Sequence, residues 1–386
     1  MGALTLAVHA GERRSMDGRA VDFPIHLATA FRFESSEEEA RRFGTGEGFV
    51  YTRWGNPTVQ VLQEKIAALE DGESCLATAS GMAAISEAIL TVVKTGDHVI
   101  ASHHLYSATY HLLEHHLPQF GIHTTFVDTA DPDNVKRAIQ KNTKLVYIET
   151  PSNPTLQITD LAAMSELAHR SKLVTIVDNT FATPINQHPL SLGIDVVIHS
   201  ATKYLCGHGD AMGGAIIGRR EFVEEVERGL HRDLGGILNP FNAWLIARGA
   251  RTLPLRVRQH NENAMALASY LATHPGVAAV YYPGLEGHPG HGIARRQMSG
   301  FGGMLSFEVK DGPEASRRVA DKLRLCTLAV SLGDTRTLVT HAASSTHSKV
   351  DPETRRAVGI SEGLIRVSVG TEDSQDIIED FEQALN

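Results

Sequence analysis

Short apolar runs alternate with helical patterns through the middle of the chain. Several of these runs are rich in β-branched residues, which is typical of buried strands. Between two of them, residues 161–169 place apolar side chains at helical spacing. Buried strands that alternate with helices predict an α/β fold with a mostly parallel central sheet. The predicted strands are 98–101, 123–127, 144–148, 173–177 and 195–199.

The N-terminal part of the chain shows a different pattern. Residues 1–50 contain apolar pieces without a sustained period, which predicts an extended arm that contacts a neighbouring subunit. Helical spacing then runs from 58 to 70, and Gly72 is the predicted stop of that helix. Residues 51–245 are therefore predicted to form a large α/β domain.

The last third of the chain has fewer elements and a mixed pattern. A helical stretch at 261–274 comes before strand-like segments at 304–309 and 364–369, and an amphipathic helix closes the chain. This order predicts a smaller α+β domain over 246–386. A length of 386 residues agrees with two domains, because single cores stop growing at roughly 250–300 residues.

Composition and charge narrow the class of protein. The hydrophobic fraction of 42% and the charged fraction of 21% are those of an ordinary globular chain. The formal charge of -9 disfavours nucleic acid and anionic membranes as partners and favours a small molecule. No apolar run reaches the ~20 residues of a membrane helix, and no signal peptide is recognisable. Sparse cysteines, Cys75, Cys206 and Cys326, predict a cytoplasmic protein without disulfides.

Two residues of catalytic type follow neighbouring predicted strands. Asp178 comes directly after the strand at 173–177, and Lys203 follows the strand at 195–199. Because ligands bind at the carboxyl ends of strands in open α/β sheets, both side chains are predicted to face one crevice. Either residue alone could have an ordinary structural role instead of a catalytic one, since aspartates cap turns and most lysines are solvated. Together they meet two needs of a pyridoxal ring, a neutral lysine amine and an acidic partner for the ring nitrogen.

A phosphate site is predicted at residues 79–82, which come before the helical stretch 83–93. Backbone N–H groups at the start of a helix attract anions, and Ser80 adds a hydroxyl. The same pattern is also typical of an ordinary helix cap. The prediction of a phosphate site therefore depends on the presence of Asp178 and Lys203 later in the chain. The chain lacks GxGxxG and GK[ST] motifs, which disfavours dinucleotides and nucleoside triphosphates.

Five short motifs occur in a characteristic order along the chain. They are YTRWGNPT at 51–58, ASGM at 79–82, ETPSNP at 149–154, VDNT at 177–180 and HSATKY at 199–204. Together they resemble the Cys/Met-metabolism, or trans-sulfuration, family of pyridoxal 5′-phosphate (PLP) enzymes, and the likeness runs essentially end to end. The resemblance implies a fold-type I, aminotransferase-like architecture, PLP as cofactor, and a homotetramer built from catalytic dimers.

The resemblance also implies a role for each matching residue. Lys203 would carry the cofactor as a Schiff base, Asp178 would pair with its ring nitrogen, and Tyr106 would stack on the ring. Arg366 would bind the substrate α-carboxylate, a task that suits the two-donor guanidinium fork. The remaining roles are the phosphate site for Ser80, Gly81, Met82, Ser200 and Thr202, a neighbour's phosphate for Tyr51 and Arg53, and the substrate site for Asn153 and Ser331.

The family mechanism implies a reaction at the γ-carbon of a sulfur amino acid. The substrate amine displaces the lysine, which then moves protons between Cα and Cβ until a γ-leaving group departs. In this chain Lys203 would carry those protons, and Tyr106 would act as acid or base near the leaving group. The expected reaction is γ-elimination on methionine or homocysteine, which releases a thiol, 2-oxobutanoate and ammonia.

Residues near the substrate leave the choice of reaction open. Segments 207–210, 330–334 and 359–364 resemble methionine γ-lyases, yet Ala108 stands where those enzymes usually carry cysteine. Their Lys-Asp pair also has no clean match, and Arg232-Asp233 is the nearest candidate.

Other segments favour γ-replacement on O-acetyl- or O-succinylhomoserine. Residues 239–244 and the stretch around Arg336 resemble homoserine-ester sulfhydrylases. Cystathionine γ-lyases and γ-synthases commonly have glutamate at the position of Arg336, which weakens a cystathionine assignment. The sequence leaves the preferred substrate, the thiol acceptor and the pathway direction open.

Two further hypotheses receive little support. A non-catalytic binding protein of the same fold would not need Lys203, Asp178 and Arg366 together. Adjacent histidines at 103–104 and 115–116 do not predict a metal site, because neighbouring side chains on a helix or strand point in different directions.

Overall fold

The computed structural model describes residues 1–12, 20–345, 353, 355 and 359–386. The strands of these residues form one sheet of seven and one of five. In the same part of the chain, no helix combines the length and apolar character needed to cross a membrane. The strands are β1 (Ser74–Thr78), β2 (His98–Ser102), β3 (His123–Val127), β4 (Thr143–Glu149), β5 (Val174–Asp178), β6 (Val196–His199), β7 (Gly214–Gly218), β8 (Val277–Tyr281), β9 (Met304–Val309), β10 (Thr327–Leu328), β11 (Leu338–His341) and β12 (Leu364–Ser368).

The helices lie mainly between the strands of the larger sheet and around the smaller one. Two π-helical segments, Leu112–His116 and Glu227–Gly235, continue helices α5 and α9 of the following series. The helices are α1 (Ala3–His9), α2 (Ser36–Thr45), α3 (Pro57–Glu70), α4 (Gly81–Val92), α5 (Ser107–His111), α6 (Pro132–Ala138), α7 (Leu161–Arg170), α8 (Thr183–Asn186), α9 (Arg220–Val226), α10 (Pro240–Ala250), α11 (Leu253–Thr273), α12 (His291–Gln297), α13 (Gly312–Lys322) and α14 (Ser374–Leu385).

The larger sheet has the strand order β1-β7-β6-β5-β4-β2-β3. Neighbouring strands are parallel from β6 to β3, whereas β7 runs antiparallel to both β6 and β1. The prediction of an α/β fold with a mostly parallel central sheet is therefore confirmed.

Helices cover both faces of the larger sheet, which explains why its central strands are apolar throughout. In β4, Leu145 and Tyr147 pack into the core that contains α4, while Val146 and Ile148 pack into the core that contains α7. Successive side chains of a strand point to opposite faces, so a strand buried on both faces shows no polar alternation. The helices and the sheet thereby place the carboxyl ends of β4, β5 and β6 at one edge.

The smaller sheet has the strand order β10-β11-β12-β9-β8 and mixes parallel and antiparallel pairs. Helices α11 and α14 supply its apolar core. Phe307 of β9 and Phe381 of α14 meet edge to face, with ring centroids 5.8 Å apart. The predicted α+β character of the C-terminal part is confirmed. The boundary predicted at residue 245 lies within α10, and this division of the chain stays a prediction.

The predicted extended arm contains two helices, and for these segments the prediction was wrong. Helix α1 packs on α3, where Lys65 Nζ donates a 2.6 Å hydrogen bond to the carbonyl of Ala7. Ser35 caps the N-terminus of α2, because its hydroxyl accepts from the Glu38 N–H at 3.1 Å. Because α2 buries no residue, it needs no apolar stripe, and periodicity could not reveal it. Residues 13–19 lie outside the described part of the arm.

Helix α3 also ends differently from the prediction. Its C-terminal cap is Asp71 rather than Gly72, and Asp71 has φ 61° in the left-handed region. Aspartate tolerates this conformation better than most residues, because its short polar side chain bonds locally.

Candidate active site

Polar side chains end three neighbouring parallel strands of the larger sheet. Glu149 ends β4 and Asp178 ends β5, and these two residues are register partners. His199 ends β6, and Lys203 lies in the turn that follows. The structure therefore brings Asp178 and Lys203 to the same edge of the sheet, where the sequence places a crevice.

The amine of Lys203 lies beside a hydroxyl and near a buried cation. Its Nζ donates a 2.9 Å hydrogen bond to Oγ of Ser331. Burial, and secondarily the charge of Arg366, lower the pKa of Lys203 from its usual 10.5 to about 8. About one tenth of the amine is then neutral at pH 7, as a nucleophile requires.

The carboxylate of Asp178 is buried at the end of β5. Its Oδ1 accepts a hydrogen bond from the Thr180 N–H at 3.0 Å. Burial raises the pKa of Asp178, while the hydrogen bonds from Thr180 and the nearby His199 act in the opposite direction. A cationic N–H group placed against this carboxylate would replace the water that burial removes.

The start of α4 and the turn after β6 approach each other closely. A Cβ atom on Gly81 would lie 2.9 Å from Cβ of Ser200, so only glycine allows this approach. Ser80 caps α4, because its Oγ accepts from the Ala83 N–H at 3.1 Å and keeps its own proton free to donate. Oγ1 of Thr202 accepts from the Gly213 N–H at 3.0 Å. The N–H groups at the start of α4 thus lie beside the turn after β6, an arrangement of the kind that binds phosphate.

Tyr106 stands at the start of α5, at the rim of the same edge. Its backbone N–H donates to Oε2 of Glu149 at 2.8 Å, and its side chain is 43% exposed. Met82, the remaining predicted phosphate residue, lies in the first turn of α4, where its Sδ accepts from the Thr109 hydroxyl at 3.9 Å. The exposed ring of Tyr106, whose backbone is held by Glu149, has a free face on which a cofactor ring can stack.

Arg366 contacts the other two residues predicted to bind the substrate, Asn153 and Ser331. It is 3% exposed in β12, and its guanidinium donates to Oδ1 of Asn153 and to the carbonyl of Ser331, both at 3.0 Å. Burial lowers its pKa to about 10. Its Nε is buried and has no hydrogen-bond partner among the described residues. A buried guanidinium with an unused donor is suited to bind a carboxylate.

A cleft of about 540 Å³ opens beside these residues. Thr202 and Ser331 line it, and Met212 contributes an apolar side chain. Arg336 also lines the cleft, where it forms an ion pair with Asp334 at 3.2 Å while its side chain stays 68% exposed. The cleft is large enough for a small amino acid.

Tyr51 and Arg53 lie elsewhere within the same chain. Arg53 donates a 2.6 Å hydrogen bond to the carbonyl of Arg232 in the segment Glu227–Gly235, and its guanidinium lies 5.7 Å from the ring centre of Tyr51. Within its own chain, Arg53 thus contacts the π-helical segment rather than the start of α4. Their predicted role at a neighbour's phosphate stays a prediction.

A family model described as "Cys/Met metabolism PLP-dependent enzyme" matches residues 4–386. The chain belongs to this family. It is 50% identical to L-methionine gamma-lyase of Fusobacterium nucleatum subsp. polymorphum, across 100% of this chain and 98% of that protein. It is 44% identical to O-succinylhomoserine sulfhydrylase of Pseudomonas aeruginosa, across 99% and 94% of the two chains.

A solved structure gives the same result for the fold. The putative O-acetylhomoserine (thiol)-lyase of Campylobacter jejuni is 36% identical, covers 100% of both chains and superposes with a TM-score of 0.97. That structure contains N′-pyridoxyl-lysine-5′-monophosphate. The fold-type I architecture and the PLP cofactor, both predicted from the motifs, are confirmed for this Cys/Met-metabolism enzyme.

The site residues of this PLP enzyme fit the cofactor chemically. A partly neutral amine at Lys203 suits an aldehyde, and the buried carboxylate of Asp178 suits a protonated ring nitrogen. The start of α4, with Gly81 packed close to Ser200, suits the phosphate. The aldehyde, the ring nitrogen and the phosphate of PLP thus each have a chemically matching group at one edge of the sheet.

The pKa of Lys203 leads to a prediction about cofactor binding. We expect the rate at which cofactor-free enzyme rebinds PLP to rise with pH to about 8 and then level off. Only the neutral amine attacks the aldehyde, and each pH unit below the pKa removes about nine tenths of it. Stopped-flow absorbance measures this rate. A rate that still rises about tenfold per unit above pH 9 would indicate an ordinary lysine and contradict the assignment.

Two buried carboxylates near the site were not predicted to have a role. Glu149 occurs in the ETPSNP motif, and its position at a strand end was the available signal. Glu70 lies far away in sequence, at the end of α3, and forms a buried pair with His199. Its Oε1 also accepts from Nδ2 of Asn179 at 2.8 Å, directly behind Asp178. No local sequence pattern reveals such a contact.

Proposed function

We propose that this enzyme catalyses γ-elimination on methionine or homocysteine, consuming water and releasing a thiol, 2-oxobutanoate and ammonia. The supporting observation is the partly neutral amine of Lys203 between Ser331 and the buried Arg366, in a chain half identical to an L-methionine gamma-lyase. This arrangement combines a base with a carboxylate site, as a reaction on an α-amino acid requires.

Each residue of the site has a task in this proposal. When bound, PLP withdraws electrons from the substrate α-carbon through its protonated ring nitrogen. Asp178 would pair with that nitrogen and favour its protonated form, and Arg366 would orient the substrate through its α-carboxylate. Lys203, steered by its hydrogen bond to Ser331, removes the α-proton and moves protons along the carbon chain. The hydroxyl of Tyr106 gives a proton to the departing sulfur.

The remaining residues hold the cofactor and the substrate in register. Asn153 accepts a hydrogen bond from Arg366 and keeps its guanidinium in plane with the substrate carboxylate. Hydroxyl and N–H groups at the start of α4 and in the turn after β6 would hold the cofactor phosphate. The residues proposed there are Ser80, Gly81, Met82, Ser200 and Thr202.

A product assay on the PLP-loaded enzyme tests the proposal. Methionine, homocysteine, cystathionine and the two homoserine esters are each supplied with and without sulfide. We expect 2-oxobutanoate and ammonia from methionine or homocysteine without sulfide. Homocysteine formed only from an ester and sulfide together would contradict elimination and establish a sulfhydrylase.

That sulfhydrylase is the second candidate, and Arg336 favours it. The exposed guanidinium of Arg336 lines the cleft that also contains Ser331, and Asp334 holds it there. A cation in this cleft is suited to the second carboxylate of O-succinylhomoserine. The 44% identity to an O-succinylhomoserine sulfhydrylase agrees with this alternative. The far end of cystathionine carries an ammonium group beside its carboxylate, so it gains less from this cation than the succinyl carboxylate does.

We also propose a homotetramer built from catalytic dimers, with residues 1–50 as an arm on the neighbouring subunit. Support comes from exposed aromatic groups, since Phe43 is 52% and Tyr51 is 43% exposed in the single chain. The large and C-terminal domains would then span 51–245 and 246–386. Three buried, unpaired cysteines support a cytoplasmic location.

Mixing two inactive variants tests the shared site. We expect Arg53→Ala and Lys203→Ala chains to be inactive separately and to regain roughly one quarter of full activity when dissociated and reassembled together. Only a mixed dimer combines an intact Arg53 with the Lys203 of the other chain. Turnover after mixing measures the effect. If Arg53 served its own chain's site, no intact site would form, and mixing would restore nothing.

A further inference from the structure

Glu149 connects two parts of the site that lie far apart in the sequence. Its Oε2 accepts the backbone N–H of Tyr106 at 2.8 Å, and its Oε1 accepts the backbone N–H of Asn153 at 3.1 Å. The side chain is 5% exposed at the end of β4. Both oxygens of one buried carboxylate are thus used, and each holds a different loop.

The two loops serve different partners in the proposed reaction. Tyr106 begins α5 and presents the exposed ring that would cover the cofactor. Asn153 receives the 3.0 Å hydrogen bond from Arg366, the proposed carboxylate ligand. A single carboxylate therefore lies between the cofactor side and the substrate side of the site.

We propose that Glu149 is a positioning residue, which holds Tyr106 over the cofactor and Asn153 against Arg366 so that substrate and cofactor meet in register. This inference rests on the roles given to those three residues under the proposed function. Glu149 acts through them, and its contacts are with backbone groups rather than with reacting atoms.

The chemistry of the position requires a carboxylate. Two N–H donors need two acceptors, and the carboxyl group of Glu149 has one acceptor oxygen for each of them. Glutamine would present an NH₂ group to one of the donors and leave it buried without a partner.

Holding a carboxylate here is electrostatically costly. Glu149 is the register partner of Asp178, and burial together with that neighbouring charge raises the pKa of Glu149 well above its usual range. The two N–H bonds and the charge of Arg366 act in the opposite direction. Anchoring a single loop would not require a second buried carboxylate beside Asp178. Aligning the two loops with each other uses both oxygens of Glu149, one for each loop.

Glu149→Gln tests the proposal, with Asp380→Asn as the matched control. Asp380 is also a buried carboxylate that accepts backbone N–H groups, those of Arg324, Leu325 and Cys326, but it lies under the smaller sheet. The holoenzyme is titrated with L-norleucine, which has the amino and carboxylate groups of methionine but no γ-leaving group. Circular dichroism of the PLP band reports how the ring is held.

We expect Glu149→Gln to weaken norleucine binding about tenfold and to reduce the dichroism per bound PLP. Asp380→Asn should lower the melting temperature and leave both signals unchanged. The proposal is overturned if Glu149→Gln leaves both signals unchanged, or if Asp380→Asn changes them equally. Should Glu149→Gln not fold, Glu149→Asp, which is too short to reach both donors, replaces it, and unchanged signals there overturn the proposal as well.

This test is independent of the reaction type. Norleucine binding needs only the amino-acid site, so a sulfhydrylase result in the product assay leaves the Glu149 outcome interpretable. Conversely, unchanged signals in Glu149→Gln would leave γ-elimination untouched.

Discussion

Lys203→Ala is expected to lose turnover by at least about a thousandfold, together with the absorbance of covalently bound PLP. The variant removes both the amine that binds the cofactor and the base that moves the substrate protons. In the unaltered chain the amine of Lys203 makes a hydrogen bond to Ser331 and has a pKa of about 8. An exposed lysine lacks this environment and cannot replace Lys203 chemically. Absorbance spectra and 2-oxobutanoate release measure the two effects.

A control variant at another lysine distinguishes the catalytic role of Lys203 from a general effect of losing one positive charge. Lys94 is exposed in the loop before β2, and Lys94→Ala should keep full absorbance and turnover. The fold of Lys203→Ala should persist in far-ultraviolet circular dichroism. Turnover retained by Lys203→Ala would remove the proposed base from the mechanism.

Arg366→Lys should reduce kcat/KM by about a hundredfold, mainly through KM. The charge remains, but ammonium cannot reproduce the planar fork that now reaches Asn153 and the Ser331 carbonyl and leaves Nε free. Losing a buried, charge-assisted bond costs about 2–5 kcal/mol, and 2.7 kcal/mol corresponds to roughly a hundredfold. Steady-state kinetics with methionine measure this change.

Arg251→Lys is the control for Arg366→Lys. Arg251 also uses a two-donor fork, because its Nε and a terminal nitrogen donate to Glu12 at 2.9 and 2.7 Å. Its replacement should lower thermal stability without altering KM. An unchanged KM in Arg366→Lys would place the substrate carboxylate elsewhere.

The sequence was sufficient for the central sheet and for the order of the main site residues. Strands β4, β5 and β6 are buried on both faces, so their apolar runs identify them directly. Asp178 and Lys203 follow such strands, and topology then brings them to one edge. The prediction of PLP as cofactor rested on the order of five motifs along the chain rather than on any single residue.

Features that depend on contacts between distant segments were not predictable. Strands β1 and β7 pair with each other at one side of the sheet, yet β7 begins and ends with glycine and gives no strand signal. A Cβ atom on Gly214 would lie 2.2 Å from the Ser80 carbonyl, so this glycine serves a close approach. The link from Glu149 to Tyr106 likewise joins residues 43 positions apart.

Competing specificity constants test the central claim most directly. One preparation is assayed for kcat/KM of methionine elimination and for kcat/KM of O-succinylhomoserine replacement with saturating sulfide. The proposed γ-elimination predicts a larger value for methionine, with 2-oxobutanoate, ammonia and methanethiol formed in equal amounts. A larger value for the ester, with homocysteine as the product, would contradict it and assign the cleft beside Arg336 to a succinyl group.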